Sequence, residues 1–206
     1  MVRSAVRRVA DHAHGSGAGE RAAIRERANW GAAVDRIAIV GCSGGGKSTL
    51  ARRLAAKLNL PVVHFDVLFW QPGWKESDDA SFRARLAAAL AGGRWITDGN
   101  FSRMADLHFA GAELIVWVDQ PRMLCLRRAL SRAIRMRGQS RIDMAEGCVE
   151  RIDLPFLRYI WRWNAVTRPK IEAAIARHAP ATPVVRLRSD REIAGWLDTV
   201  AAYSAA

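Results

Sequence analysis

The chain has 206 residues, half of them apolar and a quarter charged, with a formal net charge of +12. That balance belongs to one globular domain and excludes disordered, collagen-like and disulfide-stapled classes; no apolar run reaches the roughly 18 residues needed to cross a bilayer. Cys42, Cys125 and Cys148 show no Cys-x-x-Cys spacing, which argues against a disulfide framework or a zinc site and for reduced thiols in a cytoplasmic protein. Of the 32 basic residues only Lys47, Lys57, Lys75 and Lys170 are lysines. The arginine excess reads either as compositional bias or as an anionic partner, nucleic acid or polyphosphate.

Residues 1–33 are rich in Ala, Gly, Arg and His without periodicity and predict a flexible tail, with the folded domain from residue 34 to 206. Ile37-Ala38-Ile39-Val40 is a short β-branched run ended by glycines, and Lys47 to Leu58 repeats apolar residues at helical spacing. Strands are then expected at Val62 to Phe65, Trp95 to Thr97 and Leu114 to Val118, with a helix from Ser81 to Leu90 between the first two. Helices over about 121–136 and 154–178, a strand from Val184 to Leu187 and a helix over about 190–202 complete the order. Near-continuous apolar strands alternating with helices predict a doubly wound α/β domain whose five-stranded parallel sheet is covered on both faces.

Gly41-Cys42-Ser43-Gly44-Gly45-Gly46-Lys47-Ser48-Thr49 satisfies Gly-x4-Gly-Lys-Ser after a strand and at a helix start. The glycines let backbone N–H groups of Gly41, Ser43, Gly44, Gly45, Gly46, Lys47, Ser48 and Thr49 cradle phosphates, with the helix N-terminus adding partial positive charge. Lys47 bridges the terminal phosphates of ATP, and Ser48 is placed to ligate magnesium. Cys42 lies in the same electropositive loop, as a somewhat acidic thiol or a passive residue.

Two later segments resemble adenylate kinases: Trp95-Ile96-Thr97-Asp98-Gly99 with Arg103, and Asp119-Gln120-Pro121 followed seven and eleven residues after the proline by Arg128 and Arg132. His64-Phe65-Asp66, the Leu68-to-Trp74 stretch and Asp98-Gly99-Asn100 are more similar still to adenylate-kinase-related proteins labelled topology modulation proteins. The resemblance covers roughly residues 36–202 and implies a phosphate-loop kinase with an Arg-rich lid over about 121–155. The chain has no Thr-Gly-Asp segment after its second strand, and Arg103 follows Asp98 by five positions rather than four, which argues against AMP as acceptor. An Asp ending the second strand resembles shikimate and gluconate kinases, where the carboxylate holds or deprotonates the accepting hydroxyl. That resemblance makes Asp66 the candidate base.

Asp98 ends an apolar strand and is the candidate second magnesium residue with Ser48; Asp119 competes, because Leu114 to Val118 is a better apolar strand. From Arg122 to Arg141 there are seven arginines and no acid, and Arg128, Arg132 and Arg135 share a helix face. A like-charged face calls for an anion, so Arg128 and Arg132 read as lid arginines over ATP phosphate; a solvated basic face and a nucleic-acid patch are the alternatives. Trp70 and Trp74 flank Pro72-Gly73, to stack on an acceptor or to fill core. Trp161, Trp163, Tyr159 and Phe156 read as core, and His64 as an ordinary buried imidazole. The acceptor site is expected between Asp66, Trp70, Asp98, Gly99 and Arg103. Transfer of the ATP γ-phosphoryl group to a small acceptor is the expected activity. Its rival is a nucleotide-dependent protein acting on nucleic acid.

Overall fold

A computed structural model describes residues 34–204; the tail expected over 1–33 lies outside the described residues. The main sheet contains β1 (Arg36–Gly41), β2 (Val62–His64), β5 (Trp95–Asp98), β6 (Leu114–Val118) and β7 (Val184–Leu187). They are arranged β2-β5-β1-β6-β7, and every pairing is parallel. Strand alternation serves both faces at once. Ile37 and Ile39 of β1 pack with Leu50 and Leu54 of α1 (Lys47–Leu58) and Trp196 and Leu197 of the last helix (Asp190–Ser204). Ala38 and Val40 point the other way, into a cluster with Trp117, Cys125, Ile160 and Trp163. With both sheet faces covered, β5 and β6 are buried at every position, the reason β6 reads as an uninterrupted apolar run.

Between β2 and β5 the chain departs from the expected strand through Phe65. Phe65 instead begins the short helix α2 (Phe65–Phe69), followed by the antiparallel pair β3 (Trp70–Gln71) and β4 (Lys75–Glu76) and then α3 (Asp79–Leu90). The reason is lateral packing: Phe65, Phe69 and Phe82 form a buried group with Leu86 and Met104, and Phe65 meets Phe82 edge-on at 6.1 Å. Helix α3 starts before the expected Ser81 because the Asp78 side chain caps it, accepting from the Ser81 N–H at 2.8 Å. Such a cap contributes about 0.5–2 kcal/mol. A helical turn, α4 (Ala105–His108), precedes β6.

After β6 come α5 (Arg122–Arg135) and α6 (Leu154–His178), the latter capped by Asp153, whose carboxylate accepts from the Phe156 N–H at 2.8 Å. The segment between them folds back over the α2–β3 region. Met144, Ala145 and Cys148 are buried there against Trp70 and Trp74, and the Trp74 indole N–H donates to the Val149 carbonyl at 2.9 Å. The last helix, α7, is Asp190–Ser204. Among the described residues no helix is long and apolar enough to cross a membrane.

Candidate active site

The carboxyl ends of β1, β2 and β5 meet at one crevice, as the ends of open parallel sheets do. Its floor is the loop from β1 to α1. The Gly45 N–H donates to the Cys42 carbonyl at 3.0 Å and the Leu50 N–H to the Gly46 carbonyl at 2.9 Å, so the loop closes onto the helix start. Gly44 has φ +81°, and a Cβ there would lie 2.3 Å from the Cys125 carbonyl oxygen of α5. Only glycine combines that conformation with that approach. Lys47 Nζ donates to the Cys42 carbonyl at 3.4 Å, folding the ammonium over the loop, while Thr49 is exposed on the first turn of α1. Asn100 ties the loop to the end of β5, accepting from the Gly41 N–H at 2.9 Å and donating to the Gly41 carbonyl at 2.7 Å.

Asp98 is 7 % exposed and is gathered with Ser48 and His64. Burial works against its ionisation, but hydrogen bonds from His64 and Ser48 and the Lys47 charge outweigh that and hold the carboxyl below its usual range. His64 Nδ1 lies 2.9 Å from Asp98 Oδ2, and an ionised carboxylate only accepts, so the imidazole donates through Nδ1. The sequence reading of His64 as an ordinary buried imidazole is corrected here: strand register sets it beside Asp98. The competing carboxylate Asp119 is held by Arg168 through both oxygens at 3.2 Å. A guanidinium thus occupies the oxygens a metal would need.

Asp66, in the first turn of α2, is pushed above the usual carboxylate range, first by burial and then by the Asp98 charge, with Lys47 and Arg141 opposing and Asp143 adding to the rise. The segment after α5 therefore brings its own charges to Asp66. Gly99 follows Asp98 where a Cβ would fall 2.6 Å from the Phe65 ring, so glycine is required by packing. Trp70 meets Phe69 at 5.0 Å and Trp74 at 5.4 Å, both edge-on, and lies over Met144 and Cys148, so packing against the segment after α5 is its visible role. Arg103 lies over the Phe69 ring at 5.0 Å and pairs with Asp79 at 3.1 Å.

The like-charged run read over residues 122–141 meets carboxylates from elsewhere in the fold. Arg128 pairs with Asp190 at 2.5 Å; Arg132 Nε lies 2.7 Å from Glu150, and Arg141 lies 2.8 Å from the other Glu150 oxygen and 3.2 Å from Asp143. Glu150 and Asp143 are both buried. The counter-ions come from distant positions, which a count confined to residues 122–141 misses. Two aromatic readings also change. Trp161 is 52 % exposed, with the Arg122 guanidinium 4.0 Å from its ring, whereas Trp163 and Phe156 join the core. Tyr159 reaches the phosphate loop, where its hydroxyl neighbours Asn100 and Ser43 and burial pushes its ionisation up.

A phosphate loop between the central strand and first helix of a five-stranded parallel sheet covered on both faces is the arrangement of a phosphate-loop NTPase fold. No family model and no curated protein matches the chain. Solved structures with a similar backbone include a shikimate kinase from Acinetobacter baumannii in complex with shikimate, with 18% identity, 80% of this chain and 90% of that one covered, and a TM-score of 0.47. A gluconokinase from Sinorhizobium meliloti covers 84% of this chain and 93% of its own at 16% identity, TM-score 0.49. A deoxyadenosine kinase from M. mycoides covers 80% and 96% at 11% identity, TM-score 0.43. The topology and the loop, rather than these likenesses, carry the fold.

Proposed function

We propose that this protein is an ATP-dependent phosphotransferase that passes the γ-phosphoryl group to a hydroxyl of a small acceptor. The observation that carries the reading is the convergence of Lys47, Ser48, Asp98 and Asp66 at one strand-end crevice. The Gly41 and Gly45 N–H groups are engaged by Asn100 and the Cys42 carbonyl, so those of Ser43, Gly44, Gly46, Lys47, Ser48 and Thr49 bind phosphate oxygens, and Lys47 adds a point charge where the β- and γ-phosphates lie. The Ser48 hydroxyl and the Asp98 carboxylate are neighbouring oxygen donors of the kind magnesium takes, and would hold a magnesium ion that would neutralise phosphate charge. His64 holds Asp98 in place by its hydrogen bond.

Asp66 accepts the proton of the attacking hydroxyl. Its raised pKa suits a base that must hold a proton briefly during transfer. Trp70 and Gly99 shape the acceptor side, Arg103 borders it, and Arg128 and Arg132 exchange their carboxylate partners for phosphate oxygens as the lid closes. Catalysis is then chiefly positioning and electrostatics. The nucleic-acid reading is the weaker one, because Arg128, Arg132 and Arg141 are engaged by carboxylates of this chain instead of forming an open basic face.

The test is turnover of MgATP against a panel of nucleosides, nucleotides, sugar acids and polyols, followed by ADP release and product mass. Acceptor-dependent ADP release with a phosphorylated product supports the assignment. ADP release stimulated by DNA or RNA and indifferent to every small acceptor overturns it.

A further inference from the structure

Two of the three cysteines face each other across a functional joint. Cys42 is the second residue of the phosphate loop, and Cys125 is in the first turn of α5, the helix that leads into the lid. The two thiols are neighbours, each the first influence on the other, and both belong to the same buried cluster, where the Cys125 thiol donates to the Gln120 carbonyl at 3.8 Å. Gly44, two residues on from Cys42, would place a Cβ 2.3 Å from the Cys125 carbonyl oxygen, so the loop and α5 pack backbone to backbone. Cys148 lies elsewhere, its Sγ 3.2 Å from the Gln71 carbonyl. We infer that Cys42 and Cys125 form a reversible disulfide that staples the phosphate loop to the lid helix, with hydrogen peroxide as the class of oxidant.

The surroundings distinguish the two sulfurs. The Cys42 contact lowers the Cys125 thiol most, burial opposes, and the Lys47 and Arg128 charges lower it further; Cys42 itself is pushed up, first by Cys125 and then by burial. Cys125 is therefore the attacking thiolate and Cys42 the resolving thiol. Cys125 sulfur attacks one peroxide oxygen, the O–O bond breaks, and the departing hydroxide takes the proton that Cys125 gave up, leaving one water and a sulfenic acid. Cys42 sulfur then attacks that sulfenic sulfur. The S–O bond breaks, the S–S bond forms, and the Cys42 proton joins the leaving hydroxide as a second water. Two thiols lose two electrons and one peroxide is reduced. Cys42 and Cys125 are 3 % and 0 % exposed, so a protein disulfide cannot reach them and the oxidant must be as small as hydrogen peroxide.

The chemistry stands without the functional assignment, whereas its consequence rests on it. The Cys42 carbonyl accepts from both the Gly45 N–H and Lys47 Nζ, so a bond from this residue to α5 fixes the phosphate cradle in one setting. Two small thiols packed as inert core are the competing account.

The full chain is treated with dilute hydrogen peroxide, quenched, and measured by intact mass, thiol titration in denaturant and peptide mapping. The expected product is monomeric, about 2 Da lighter, with a Cys42–Cys125 crosslink and the original mass restored by dithiol reductant. Cys148→Ser retains the crosslink and Cys125→Ser lacks it; because Cys125 is buried, Cys125→Ala provides a second variant. Oxygen adducts without the 2 Da loss, or a crosslink that uses Cys148, overturn the proposal. Binding of a fluorescent ATP analogue to the same samples is expected to weaken about tenfold on oxidation and recover on reduction, since the staple removes the binding-competent setting. Reduced protein that does not bind the analogue contradicts the functional reading while the mass result still decides the disulfide.

Discussion

The phosphate loop and the lid segment both surround the crevice, but they are built by opposite means. The loop is shaped by consecutive residues: backbone hydrogen bonds such as Gly45 N–H to the Cys42 carbonyl, glycine at a crowded position, and a helix beginning at Lys47. The lid is held by side chains from distant positions, with Glu150 between Arg132 and Arg141, Asp143 on Arg141 and Asp190 on Arg128. On the proposed function, a ligand would find backbone donors in the loop, whereas in the lid it would compete with carboxylates already bound. Substitutions in the two regions therefore have different signatures.

The largest effect is expected at Lys47. Lys47→Ala removes a charge with little packing role and should lower turnover about 10³-fold, with thermal unfolding close to wild type. Steady-state turnover and a melting curve on the same sample check this. Asp66→Asn keeps the size and removes the base, for a loss of about 10²-fold in acceptor phosphorylation. Its pH profile is more telling than its magnitude. Because burial and Asp98 raise the Asp66 pKa, a proton remains on the carboxyl above the ordinary value of 3.8, and activity should climb as pH rises through the raised pKa. That rising limb disappears from whatever activity Asp66→Asn retains.

Glu150→Gln would probe the other region. It preserves shape but leaves Arg132 and Arg141 without their shared carboxylate, and uncompensated charges of this kind destabilise their surroundings. Amide exchange should accelerate over residues 136–153 and stay unchanged over residues 41–49, with turnover lower by about tenfold. Equal acceleration in both segments would break the contrast between the regions. The smallest effect belongs to Asp190→Asn, whose partner Arg128 is half-buried while the Asp190 side chain is 65% exposed. Stability should change by less than about 1 kcal/mol, measured by denaturant titration.

The same contrast explains how far the sequence could be read. Strands and main helices were legible because each carries its own period; the helix expected over 154–178 matches Leu154–His178. The loop was legible because its function is a property of adjacent backbone. Where tertiary contacts decide, local reading failed. Phe65 looked like a strand end but turns into α2 to join Phe82. His64 and Tyr159 carried no local mark of their partners, Asp98 in one case and Asn100 with Ser43 in the other. A signal did exist for His64, since it stands two residues before the candidate base and at the end of a strand paired with the Asp98 strand. Glu150 and Asp143 were overlooked because their role appears only once the segment after α5 folds back.

The central claim is that the crevice is built to hold a magnesium-bound polyphosphate, and calorimetric titration of nucleotide into the intact chain tests it most directly. The account predicts that ATP and ADP bind in magnesium, that chelation weakens both, that adenosine binds far more weakly, and that Lys47→Ala loses most of the polyphosphate preference. Adenosine binding as tightly as ATP, or a Lys47→Ala variant that keeps wild-type affinity and magnesium dependence, would contradict it.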